Sequence, residues 1–139
     1  MLTDFSQIFT DVNLQELNEL SYKIRGAIFK VHSSLGPGLL ETVYVAALTY
    51  EISELNLLVQ TQLGLPVNYN GITLEPGFRL DLLVQNEIIV EVKSVEALHD
   101  VHKKQLLTYL KLANKKLGLL VNFNVSSLKD KESAIRIIN

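Results

Sequence analysis

The first third of the sequence carries apolar residues at helical spacing. These positions fall three or four residues apart, and they are Leu17, Leu20, Ile24, Ala27, Ile28 and Val31. The period predicts an amphipathic helix that ends at about His32, and Asn13 with Glu16 forms a capping-box-like pair at its start. Residues 1–12 show no clear period, so we expect a loosely docked N-terminal arm there.

The segment between residues 33 and 38 separates this helix from a second one. Pro37 cannot continue a helix, and Gly36 suits the left-handed residue that follows a helix end. A second helix is predicted from Leu39 or Leu40 to about Leu55. A carboxylate in its first turn, Glu41, has an ordinary structural explanation, because it interacts favourably with the helix dipole.

Short apolar runs separated by turn residues follow the second helix, and they predict strands. Pro66 lies inside the run 57–70 and demotes that strand to a sheet edge. Asn70-Gly71 predicts a hairpin turn. Pro76-Gly77 predicts another turn, which leads into a hairpin over Phe78–Val95.

The remainder of the chain predicts a third helix and two more strands. The helix is expected over 97–117 and should end at Gly118. Its core stripe consists of Leu106, Leu110 and Ala113. Strands are expected at 119–124 and 134–138. This order of elements indicates an α/β fold with one mixed sheet, and a length of 139 residues predicts a single domain, 1–139.

Asp81, Glu91 and Lys93 are ionisable residues that interrupt the apolar strands of the hairpin Phe78–Val95. Glu91 and Lys93 point to one side, because strand side chains alternate. A three-residue loop at Gln85–Glu87 would pair Asp81 with Glu91 on that side, whereas a two-residue loop would turn Asp81 away. Charges are costly on a half-buried sheet, so we expect a divalent cation there unless this face is simply solvated.

Composition and charge narrow the function classes. The chain has no cysteine, which excludes a disulfide framework or thiolate site and fits a reducing cytoplasm. No apolar run approaches the roughly 20 residues of a membrane span, and the acidic start predicts no signal peptide. The net charge is −2, but residues 93–139 hold nine Lys/Arg against four Asp/Glu. Such a basic half is typical of polyanion binding or of a lysine-rich solvated helix.

Several short motifs occur together and in order along the chain. The stretch 32–44, HSSLGPGLLETVY, contains Gly38, Glu41 and Tyr44. The further segments are Gln62, Tyr69-Asn70-Gly71, Arg79-Leu80-Asp81-Leu82, Glu91-Val92-Lys93, Gln105 to Leu110 and Gly118 to Phe123. From about residue 17 onward the chain resembles the small bacterial GxxExxY proteins, a family of the PD-(D/E)XK nuclease-like superfamily. The resemblance implies a restriction-endonuclease-like core, in which α-helices flank a central mixed β-sheet.

The resemblance also implies a metal-dependent nuclease that hydrolyses phosphodiester bonds in nucleic acid, with DNA as the first substrate to test. Asp81, Glu91 and the Val92 carbonyl would hold Mg²⁺ or Mn²⁺. Glu41 would complete the acidic cluster directly or through water. Lys93 would orient the attacking water or stabilise the developing charge.

Three more residues are implied to contact substrate. Gln105 and Tyr109 match the QxxxY motif of some exonuclease-like members, and they would brace the site or contact a phosphate. His32 would be a further polar contact, and its alternative is a structural histidine at a helix end. Leu80 stands where the superfamily name has proline.

Other functions stay open from the sequence alone. A non-catalytic module on this fold could bind nucleic acid or a protein and use the acidic cluster for structure only. An enzyme on the same scaffold could act on a different phosphoester. The sequence does not separate DNA from RNA or endonuclease from exonuclease. Because so small a chain offers little surface for specificity, a homodimer or a partner protein is a further expectation.

Overall fold

The computed structural model describes the backbone of residues 2–139, together with the side chains of residues 14–139 apart from residue 76. The helices are α1 (Leu2–Leu35), α2 (Glu41–Glu54) and α3 (Asp100–Ala113). The strands are β1 (Val59–Tyr69), β2 (Ile72–Val84), β3 (Ile88–Lys93), β4 (Leu117–Asn122) and β5 (Ala134–Ile138). Within this part of the chain, no helix is both long and apolar enough to cross a bilayer.

The strands form one mixed sheet in the order β1-β2-β3-β4-β5. Strands β3 and β4 are parallel, because α3 carries the chain back across the sheet between them, and the other neighbours are antiparallel. The predicted α/β fold with a central mixed sheet and flanking helices is therefore confirmed.

Strand β3 lies at the centre of the core, since its side chains are buried on both faces of the sheet. Ile88, Val90 and Val92 pack with α1 and α2 on one face. Ile89 packs with α3 on the other face, and Glu91 follows it at the next position on that face. The core thus brings a carboxylate into the layer between the sheet and α3.

Two predicted helix boundaries are wrong. Helix α1 begins at Leu2 rather than at the expected Asn13 N-cap. The side chains of residues 1–12, which were expected to form a loosely docked arm, lie outside the described residues. Helix α3 ends at Ala113, because Asn114 takes a left-handed conformation with φ of 55° and ψ of 48°. Gly118 therefore lies inside β4 rather than at a helix end.

The expected turn at Pro76-Gly77 is also wrong. Strand β2 runs through this segment without reversing. The pairing with β1 shifts there from Val67↔Leu74 to Leu65↔Phe78, which leaves the extra residues in a bulge. Proline is tolerated in such a place because a bulge needs no ladder hydrogen bond from its nitrogen.

Candidate active site

The turn between β2 and β3 decides which residues face each other in the hairpin. Val84 pairs with Ile88, so the loop has three residues, Gln85 to Glu87. Gln85 and Asn86 both have positive φ, 54° and 55°, and the Glu87 N–H donates to the Val84 carbonyl at 2.9 Å. This geometry resembles the type I′ turn, which follows the twist of the flanking strands.

The resulting register places Asp81 beside Glu91, as the side-chain alternation predicted for a three-residue loop. The Asp81 N–H donates to Glu91 Oε2 at 2.9 Å, and the Val92 N–H donates to Asp81 Oδ2 at 2.9 Å. Regular pairing of β2 with β3 extends from Val84↔Ile88 to Leu82↔Val90. Beyond that pair, the two carboxylates take the place of backbone carbonyls as acceptors between the strands.

Burial gives these carboxylates unusual electrostatics. Glu91 is 4% exposed, and burial together with the neighbouring charge of Asp81 raises its pKa to about 8. Burial also raises the pKa of Asp81, while the Val92 N–H and the Lys93 ammonium act in the opposite direction. At neutral pH the raised pKa of Glu91 therefore favours a proton on its carboxyl in the metal-free protein.

Helix α3 supplies two further side chains to this group. Lys93 Nζ lies 3.5 Å from Gln105 Oε1 and donates to it. Tyr109 is buried one turn further along α3, and its ring packs against Phe78 with the centroids 5.2 Å apart. Burial and then the charges of Glu91 and Asp81 raise the pKa of the Tyr109 hydroxyl. Gln105 and Tyr109 thus border the two carboxylates, where they were expected.

The orientation of α3 follows from its buried face. Leu106 and Leu110 are fully buried against the sheet, as predicted. Gly118 of β4 allows this close approach, because a Cβ on it would lie 2.9 Å from Leu106 Cδ1. A larger residue at 118 would push α3 away from the sheet and move Gln105 with it.

The start of α2 is held by a loop with two left-handed glycines. Gly36 has φ of 67° and Gly38 has φ of 93°, conformations that other residues rarely adopt. The Tyr44 hydroxyl donates to the Gly36 carbonyl at 2.6 Å and accepts the Leu39 N–H at 3.2 Å. The Tyr44 ring stacks on Phe123 with centroids 4.5 Å apart. Gly38 and Tyr44 therefore fix where α2 begins.

Glu41, the first residue of α2, points from this loop to the end of β3. Its Oε1 accepts the Ser94 N–H at 3.4 Å, and the Ser94 hydroxyl donates to the Leu39 carbonyl at 2.7 Å. The charge of Glu41 contributes to the raised pKa values of both Asp81 and Glu91. Glu41 is exposed, so it lies at the rim of the group rather than inside it.

His32 does not join this group, which corrects its assignment as a substrate contact. It is 8% exposed, and its Nε2 is hydrogen-bonded to the Val125 carbonyl at 2.7 Å. Its ring lies near Phe123, with centroids 6.3 Å apart. A buried imidazole that is satisfied by a backbone carbonyl holds the loop after β4, which is the structural alternative stated for it.

Asn122 is a residue of the site that the sequence reasoning missed. It is 1% exposed and pairs with Lys93 in the ladder between β3 and β4. Its side-chain Nδ2 donates to the Val95 carbonyl at 2.9 Å, and its Oδ1 accepts the Val95 N–H at 3.0 Å. The amide thus clamps the chain directly after Lys93. A polar residue ending an otherwise apolar strand was the available signal.

His102 is a second residue that was not assigned to the site. It lies one turn before Gln105 on the same side of α3, and its Nδ1 accepts the His99 N–H at 2.9 Å. Burial, followed by the charges of Lys93 and His99, lowers the pKa of His102. A neutral imidazole therefore borders the site beside the ammonium. Its spacing with Gln105 and Tyr109, three and seven residues, was the signal for it.

The donor set fits a hard divalent cation that keeps part of its water. Among the residues with described side chains, no three His, Cys, Asp or Glu groups converge closely enough to form a complete metal cage. Asp81 and Glu91 offer two carboxylates in contact with the same strand ends, and Glu41 stands at the rim. Mg²⁺ commonly takes only one or two carboxylates from a protein, so this sparse set is compatible with it.

Comparison with known proteins adds a family assignment. A family model described as the PD-(D/E)XK nuclease superfamily matches residues 18–137. No curated protein and no solved structure matches the chain significantly. The matched range contains every residue of the group described above.

Proposed function

Because the chain belongs to the PD-(D/E)XK nuclease superfamily, we propose that it is a metal-dependent nuclease that hydrolyses phosphodiester bonds in nucleic acid. The observation that carries the proposal is the pairing of Asp81 with Glu91 at the end of a buried hairpin, next to Lys93. Two carboxylates inserted between strands, one of them almost fully buried, are costly for stability alone. Perturbed carboxylates of this kind cluster at functional sites.

Asp81 and Glu91 are the proposed ligands of Mg²⁺ or Mn²⁺, with the Val92 carbonyl as a third oxygen and Glu41 acting through water. When bound, such a cation supplies positive charge that makes water a better nucleophile and stabilises charge on the scissile phosphate. Glu91 has to release its proton first, because its pKa is about 8. Cation binding should therefore release a proton near neutral pH.

Lys93 and α3 are proposed to act on the substrate itself. One N–H of the Lys93 ammonium is directed to Gln105 Oε1, which leaves two donors for a phosphate oxygen or the attacking water. Gln105 holds the ammonium at that point, and Tyr109, which is buried beside both carboxylates, would brace the site. Lys93 would thus stabilise the negative charge that develops as the phosphodiester bond breaks.

We further propose that the chain is a member of the GxxExxY family, and the site geometry supports this proposal. The three residues that name the motif all shape the site: Gly38 and Tyr44 hold the loop before α2, and Glu41 reaches the end of β3. A motif that served stability alone would not need a carboxylate aimed at the strand end.

The experiment that tests the proposal is a cleavage assay on matched substrates. Single-stranded DNA, duplex DNA, closed circular DNA and RNA would each be incubated with Mg²⁺, Mn²⁺ or EDTA. We expect cleavage of at least one substrate with a divalent ion and none with EDTA, and closed circles distinguish endonuclease from exonuclease action. Cleavage that persists in EDTA would contradict the proposed metal dependence, whereas binding without cleavage of any substrate would favour the non-catalytic module.

A further inference from the structure

Gln62 has an unusual backbone conformation for its place in the fold. It lies inside β1, yet its φ is 52°, in the left-handed region that favours glycine. For a residue with a long side chain this conformation is uncommon and strained, and such strain persists where the surrounding structure imposes it. Strained positions of this kind cluster at active sites and ligand clamps.

The strand register places Gln62 directly across from Asp81. The flanking residues are paired regularly, Thr61 with Leu82 and Leu63 with Leu80, while Gln62 and Asp81 between them make no ladder pair. The Asp81 N–H is engaged on the other side by the Glu91 carboxylate. Asp81 is therefore the point at which the regular pairing of β2 is interrupted toward both of its neighbours, β1 and β3.

The chemistry of the two side chains defines their contact. Residues directly across an antiparallel ladder share a face, so the register puts the Gln62 side chain beside the Asp81 carboxylate, and its influence lowers the pKa of that carboxyl. An ionised carboxylate only accepts hydrogen bonds, so Gln62 has to contribute its Nε2–H. Asp81 Oδ2 already accepts the Val92 N–H from β3, so a donor from Gln62 would hold this β2 carboxylate from β1 as well.

We propose that Gln62 is a positioning residue for Asp81, and that its left-handed backbone serves to direct the side-chain amide onto this carboxylate. The inference rests on the proposed function, because the reason to orient Asp81 is to present it to a divalent cation. Hydrogen bonds to ligating carboxylates fix their orientation, and losing one commonly weakens metal affinity or activity 10–100-fold. A neutral amide does this without cancelling the negative charge that the cation needs.

The first test is independent of metal and of activity. Side-chain amide NMR spectra of the metal-free protein would compare Gln62 with Gln60, which is exposed two residues earlier on the same strand. We expect a Gln62 Nε2 proton to lie downfield of those of Gln60 and to return to the Gln60 position in Asp81→Ala. Coincident Gln62 and Gln60 signals in the wild type would overturn the inference and leave the nuclease proposal untouched.

The second test separates positioning from structure. Gln62→Gly relieves the strained φ but removes the amide, so in EDTA it should melt at or above the wild-type temperature. We nevertheless expect its apparent Kd for Mn²⁺ to rise at least tenfold. Gln62→Glu keeps the size of the side chain but replaces the amide donor with a second negative charge. Gln62→Asn keeps the amide and tolerates left-handed φ, so Gln62→Asn should recover part of the affinity for Mn²⁺.

The outcomes distinguish the two proposals. If the wild type binds Mn²⁺ and Gln62→Gly binds it equally well, the positioning role is wrong and the metal site stands. If Gln62→Asn binds Mn²⁺ no more tightly than Gln62→Gly, an amide on the same left-handed backbone does not restore the affinity, and the inference is again wrong. A wild type that binds no Mn²⁺ would contradict the nuclease proposal and the positioning role together, although the amide contact would still be decided by NMR.

Discussion

Glu91→Gln should stabilise the metal-free protein at high pH, although it removes a proposed metal ligand. Glutamine has nearly the same size and keeps a carbonyl oxygen that can accept the Asp81 N–H, which Glu91 Oε2 now accepts at 2.9 Å. It cannot ionise. The substitution therefore isolates the free energy of ionising Glu91 in a buried place beside Asp81.

The magnitude follows from the pKa of Glu91. Burial and the charge of Asp81 raise this pKa from 4.5 to about 8. Below pH 4.5 Glu91 is protonated in the folded and the unfolded chain, so its ionisation does not affect the free energy of unfolding. Between pH 4.5 and 8 the unfolded chain loses the proton while the folded chain keeps it, so stability falls as pH rises. At about 1.36 kcal/mol per pKa unit, the loss reaches about 5 kcal/mol above pH 8.

The assay is urea unfolding in EDTA at a series of pH values from 4.5 to 9, for the wild type and Glu91→Gln. Other titrating groups affect both proteins, so the difference between the two free energies of unfolding reports Glu91. We expect this difference to grow in favour of Glu91→Gln as pH rises and to level off above about pH 8. A difference that stays constant with pH would refute the argument that Glu91 is buried with a raised pKa.

Three further substitutions test other parts of the account. Asp81→Asn should abolish the thermal stabilisation by Mn²⁺, which at 100-fold excess over Kd amounts to about 2.7 kcal/mol in the wild type; an equal Mn²⁺ shift in melts of both proteins would exclude Asp81 as a ligand. Gly118→Ala should lower the free energy of unfolding by about 1–3 kcal/mol, because the new methyl group overpacks against α3. The control is Gly26→Ala, whose methyl group enters open space and should raise the free energy of unfolding by up to about 1 kcal/mol. Asn122→Ala should lower it by about 1–3 kcal/mol, because two backbone groups after β3 lose their partner; unchanged urea unfolding would contradict the clamp.

The position of the carboxylates could be predicted because strand side chains alternate with period two. Given a three-residue loop, the sequence places Asp81 beside Glu91. The loop length itself could not be read from the residues, since it depends on left-handed conformations at Gln85 and Asn86. Glutamine has little preference for that conformation, so no local signal distinguished three residues from two.

The rest of the site depends on tertiary contacts that leave weak traces in the sequence. The strained φ of Gln62 contradicts local propensity, and the register alone places it across from Asp81. The clamp of Asn122 on Val95 joins segments far apart in the chain. By contrast, the side of α3 that carries Gln105 followed from its apolar stripe, because helical spacing fixes which residues share a face.

The most direct test of the central claim is the single-turnover cleavage rate of the wild type and of Lys93→Ala with saturating Mn²⁺. Lys23→Ala is the matched control, since it removes an exposed ammonium from α1, on the other side of the sheet from α3. We predict that Lys93→Ala cleaves at least 100-fold more slowly than the wild type at saturating substrate, while Lys23→Ala cleaves at the wild-type rate. Equal cleavage rates for the wild type and Lys93→Ala would contradict the claim that the group formed by Asp81, Glu91 and Lys93 is the site of phosphodiester hydrolysis.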